Sequence, residues 1–153
     1  MDREQRQVSI VLGLAVAGLT GCAGDGGEAR DGSGEAAAAS VAVVHIMEPA
    51  DGSTVGPDVR VVLHVEGIEI APIADPIPGT GHHHLFLDAD LTPLDQVIPA
   101  GNPMIVHKGD GSSEHVFSGL APGPHRLIAV VANPAHVPID PPVVDTTNFV
   151  VGN

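Results

Sequence analysis

The stretch VRVVLHVEG, Val59–Gly67, reads with a period of two. Val59, Val61, Leu63 and Val65 fall on one side, and Arg60, Val62 and His64 on the other. Successive side chains of a strand point to opposite faces, so this segment is a strand with one face on a core and one toward water. Similar runs lie on both sides of it. VAVVHI (Val41–Ile46) precedes it across the turn cluster EPADGSTVGPD, which has Asp51-Gly52 at its centre. After it come HHHLFLD (His82–Asp88), MIVHKG (Met104–Gly109), SEHVFSGL (Ser113–Leu120), HRLIAVVAN (His125–Asn133) and TTNFVV (Thr146–Val151). Gly, Pro, Asp or Asn separates each pair.

Composition agrees with this pattern. The 153 residues include 19 Gly and 14 Pro, which favours many turns over long helices. Hydrophobic residues make up 43% while aromatics are only 2%, so Val, Ile, Leu and Ala must build the core. About seven short strands in one domain, residues 41–153, predict an all-β fold: an immunoglobulin-like antiparallel β-sandwich, with a small open barrel as the alternative. The segment PADGSTV ahead of the alternating strand resembles many bacterial immunoglobulin-like modules, although their cysteine pair and buried Trp are missing.

The first forty residues read differently. VSIVLGLAVAGLTG (residues 8–21) is an apolar run of signal-peptide length, shorter than the roughly 20 residues a membrane-spanning helix needs. It ends in Leu19-Thr20-Gly21-Cys22, which resembles the lipobox of bacterial lipoproteins. The resemblance implies cleavage after residue 21 and lipidation of Cys22, the single cysteine, giving an exported protein anchored to a membrane in the cell envelope. Ala23 after the cysteine is similar to lipoproteins destined for the outer membrane. Residues 22–40, rich in Gly, Ala and acidic side chains without apolar periodicity, are expected to act as a flexible spacer.

A formal charge of −13 excludes nucleic acid as a sensible partner and repels anionic headgroups. Its simplest use is solubility. An envelope protein remains a possible partner.

Nine histidines are a heavy load for such a chain. In the strand HHHLFLD, His83 shares a side with Leu85 and Leu87, while His82, His84 and Phe86 share the other. Three adjacent histidines on a strand cannot all reach one ion, but the i, i+2 pair His82 and His84 can supply two ligands of a copper or zinc site. His107, His125 and His136, near strand ends or in loops, are the candidates to complete it. A buried His83 is expected instead to donate to a backbone carbonyl, and His45 and His64 read as surface or core-edge residues. Met47 and Met104 lie close in sequence to histidines and would tilt the choice toward copper if they joined.

Other chemistries fit less well. Asp88, Asp90 and Asp95 in DADLTPLD suggest calcium, but counting from Asp88 puts Pro93 and Pro99 where an EF-hand needs Gly and Glu. That segment is expected to be a solvated loop. Ser112 and Ser113 stand beside Glu114 and His115 without a nucleophile elbow, so no catalytic residues are assigned and the protein is not expected to be an enzyme. The alternative to metal binding is a non-catalytic interaction or scaffold module whose histidines are structural or pH-responsive.

Several segments together resemble one family of exported bacterial proteins, the domain-of-unknown-function family numbered 4399. They are Gly81–Leu85, Pro93–Gln96, Ile98–Ala100, His107–Gly109, Pro122–His125 and His136–Pro138 leading to Asp140–Val143. The likeness runs roughly from Val43 to Val151. It implies export and a histidine-rich site at His82, His83, His84, His107, His125 and His136. Lys108 and Ile139 depart from the family's usual aromatic and polar residues, and no activity comes with the resemblance.

Overall fold

A computed structural model describes residues 41–153. The expected signal segment (1–21), Cys22 and the spacer (22–40) lie outside the described residues.

Nine strands run in chain order: β1 (Val43–Glu48), β2 (Thr54–Val55), β3 (Val59–Glu66), β4 (Glu69–Ile70), β5 (Thr80–Leu87), β6 (Ile105–Lys108), β7 (Glu114–Phe117), β8 (Gly123–Ala132) and β9 (Val144–Val151). Among the described residues there is no helix. The strands form a three-stranded sheet, β1-β3-β7, and a larger sheet, β2-β9-β8-β5-β4, in which β6 also pairs with β5. The seven runs read from the sequence are β1, β3 and β5 to β9. Two two-residue strands add to them, β2 parallel to β9 and β4 parallel to β5.

The alternation of β3 decides how the sheets face. Val59, Val61 and Leu63 are buried, and Arg60 and His64 are exposed. With Val44 they meet Leu85, Leu87, Leu127, Ala129, Val131, Phe149 and Val151 from the larger sheet, forming the inter-sheet core of a β-sandwich.

The larger sheet departs from the simple half-buried pattern, because every residue of β5 is buried. Its outer face carries a second core of Phe86, Ile98, Ile128, Val130 and Ala132, with Ala89, Leu91, Ile105 and Val144 against it. Ile98 covers the sheet from the chain between β5 and β6, beyond the 88–95 loop, whose acids Asp88, Asp90 and Asp95 are exposed while Ala89 and Leu91 pack against the second core. Hydrogen bonds hold this cover down: Leu87 N donates to Met104 O (2.9 Å), Asp88 N to Arg126 O (2.8 Å) and Ile98 N to His136 O (2.8 Å). Burying a side chain such as Ile98 contributes about 1.5–3 kcal/mol. The cover ends beside His84, and there the histidines gather.

Candidate metal centre

Strand register brings the first three imidazoles together. His82 and His84 project from the outer face of β5, two residues apart. Antiparallel pairing sets His107 of β6 directly opposite His84. Gly109 clears the space the His107 ring fills: a Cβ there would lie 2.6 Å from His107 Cε1.

The fourth ring arrives from a loop. β8 ends at Ala132, opposite His82, and the chain turns through Asn133-Pro134-Ala135-His136 and returns so that Pro138 bridges Ala132. Asn133 organises this turn. Its Oδ1 accepts from Ala135 N (2.9 Å) and Val137 N (3.2 Å), while its carbonyl accepts from His136 N (2.8 Å). His136 itself has φ of 63°, a left-handed conformation that costs energy for a side-chain-bearing residue and is often found at functional sites.

One ring nitrogen from each of His82, His84, His107 and His136 lies within 4.8 Å of all the others. Five of the six pairs have ring centroids 4.8–4.9 Å apart and the sixth, His84–His136, 5.7 Å. His82 and His84 are buried, His136 is half-buried and His107 is exposed.

Inside the cluster, His82 Nε2 and His84 Nε2 stand 2.9 Å apart, so one donates to the other. His84 Nδ1 is buried and has no hydrogen-bond partner among the described residues. Desolvation disfavours the charged rings and the neighbouring imidazoles add to the effect, pushing the His82 pKa down to about 4 and that of His84 to about 3. His107 is lowered for the same reasons, opposed in part by Asp110. Near neutral pH these buried rings are therefore uncharged and keep lone pairs, the state in which imidazole binds metal.

The donor set fits a transition-metal ion. Imidazole suits zinc and copper, and four nitrogens around a tetrahedral ion at ~2.0–2.1 Å stand about 3.3 Å apart. Starting from one contact of 2.9 Å and a group within 4.8 Å, closing on an ion takes side-chain shifts on the order of an ångström.

The remaining candidates fall elsewhere. His125 does not join the cluster. It opens β8, which runs antiparallel to β5, so it sits at the far end of β5 beside Asp88, about 13 Å of strand from His84. There Nδ1 bonds Asp88 Oδ2 at 2.7 Å, Nε2 bonds Ala121 O at 2.9 Å, and the ring stacks on Phe149. Both nitrogens are engaged, and the Ala121 carbonyl and the Asp88 carboxylate raise its pKa.

His83 is buried on the core side as expected, but its Nδ1 has no partner where a backbone carbonyl was expected. Burial, then the charge of Lys108, pushes its pKa down to about 4. Neither methionine sulfur reinforces the cluster: Met47 is exposed and Met104 does not border the cavity beside it.

Asp88 binds His125 and Arg126 N, and Asp90 binds Arg126 at 2.7 Å, which accounts for two of the three acids that suggested calcium. Ser112 Oγ bonds Asp110 while Glu114 pairs with Arg60. His115 packs edge-on against Phe117.

The class is thus a β-sandwich domain with a four-imidazole cluster on the outer face of its larger sheet. The model of the domain of unknown function DUF4399 matches residues 61–151, a span that includes all four cluster histidines, and the chain belongs to that family. No curated protein and no solved structure matches the chain.

Proposed function

We propose that this is an exported, lipid-anchored cell-envelope protein whose sandwich holds one copper or zinc ion through His82, His84, His107 and His136. Its role is to store, sense or hand on the metal rather than to catalyse a reaction. One observation carries the metal reading: four imidazoles converge with two of them buried, facing each other, and sharing a single hydrogen bond. Buried imidazoles kept only for structure would have satisfied nitrogens, since an unpaired buried polar atom costs about 1–3 kcal/mol. Within the cluster, Nδ1 of His84 lacks a partner among the described residues. Support for the anchor comes from the apolar run ending at Cys22, with the acidic, glycine-rich stretch after it acting as a tether.

The test is metal content. Untagged full-length protein, supplied with copper or zinc and then desalted, is expected to retain about one ion per chain. Replacing both His82 and His84 with Ala should reduce retention to background. Equal retention by wild type and variant would refute the site. Independently, Cys22→Ser should move the protein from the membrane fraction to the soluble fraction of the cell envelope.

A further inference from the structure

The cluster has one open side. A cavity of ≈ 250 Å³ adjoins it, bordered by His84, His107 and His136 together with Ile98, Ala100 and Ile105. His82 does not border this cavity, so three rings face it with His82 behind them. No Asp, Glu, Lys or Arg lines it. The space equals about eight water volumes, enough for a small solute.

Charge indicates what would enter. The four ligands are neutral imidazoles and no carboxylate belongs to the group, so a divalent ion held there keeps both positive charges. The walls from Ile98, Ala100 and Ile105 screen poorly, and an uncompensated charge in such surroundings is costly. Asp110, the one acid acting on the cluster's rings, is exposed and bonded to Ser112.

We infer that this cavity binds an anion small enough for its ≈ 250 Å³, which coordinates the metal on the side bordered by His84, His107 and His136. The inference rests on the four-histidine metal reading. The anion supplies the charge the protein ligands lack, and the cavity walls limit its size.

Azide and Cu(II) serve as probes. Full-length protein is loaded with Cu(II), its copper content measured, and azide then titrated while the azide-to-copper charge-transfer absorption is followed. A single saturable band is expected, with chloride and formate displacing azide and tetraphenylborate, which is too large for the cavity, failing to do so. Ala100→Trp, which takes up much of the cavity from an exposed loop, should weaken azide binding at least tenfold and leave copper content at one per chain. An unchanged spectrum on fully loaded protein overturns the inference. So does tetraphenylborate competing as well as formate, or azide affinity indifferent to Ala100→Trp, since each places the anion outside the cavity. Protein that holds no copper overturns the metal reading and this inference with it, and the copper assay before azide addition separates that result from the others.

Discussion

The two ends of β5 use histidine in opposite ways. At the Asp88 end, His125 meets a carboxylate and a carbonyl, two acceptors that together call for both ring nitrogens to carry protons. At the His82 end, four rings meet with no acid among them, and two are buried with their Nε2 atoms 2.9 Å apart. The first arrangement is complete in itself. The second places four nitrogen donors where they could hold a cation. Partner chemistry, and not the abundance of histidine, separates a structural imidazole from a ligand.

The largest consequence of this contrast is acid sensitivity of the metal-free protein. His82, His83 and His84 have pKa values near 4, 4 and 3, whereas unfolding restores them to about 6.5. Between these values the unfolded chain binds more protons, so stability is full above about pH 6.5 and falls as pH drops toward 4. A single ring shifted from 6.5 to about 4 corresponds to roughly 3 kcal/mol. The three rings together lose an amount comparable with a typical total of about 5–15 kcal/mol, which should bring acid unfolding before pH 4 is reached. Denaturant melts at pH 7.5, 6, 5 and 4 measure it; a flat profile would contradict the burial of uncharged rings.

Gly109→Ala sharpens the comparison from the cluster side. The added methyl displaces the His107 ring without removing a ligand, so metal affinity should fall about tenfold, near 1.4 kcal/mol. Competition with a chelator reads this out, and His125 should be unaffected.

The smallest effect is expected at the other end. His125→Gln should cost about 1 kcal/mol, modest because the Asp88 carboxylate is partly open to solvent, which screens the pair. The His125 pKa is raised, so its contribution is full below about pH 6.5 and fades as pH rises through the folded value. The difference between wild type and variant should therefore be larger at pH 5.5 than at pH 9, with metal retention unchanged. Asp88 also accepts from the backbone N–H of Arg126, and the Arg126 guanidinium pairs with Asp90.

Much of the sandwich was legible because its signal is local. The alternation of Val59, Val61 and Leu63 against Arg60 and His64 states which side is buried, and the same rule separates His83 from His82 and His84. What local pattern cannot carry is pairing between distant segments. Only strand register sets His107 across from His84, and only the antiparallel run of β8 sends His125 to the wrong end of β5 to join them. His136 reaches the cluster through a left-handed turn organised by Asn133, and NPAHVP in the sequence signals a loop without saying where it folds. Ile98 was hidden in a segment of Pro, Asp and Gln, so the second core over Phe86 had no periodic signature.

X-ray absorption at the metal edge of the loaded protein examines the four-ring convergence most directly. The account predicts a first shell dominated by imidazole nitrogens at about 2.0 Å, with scattering from at least three rings and no sulfur. A shell of water and carboxylate oxygens, or one containing a methionine sulfur, would contradict it.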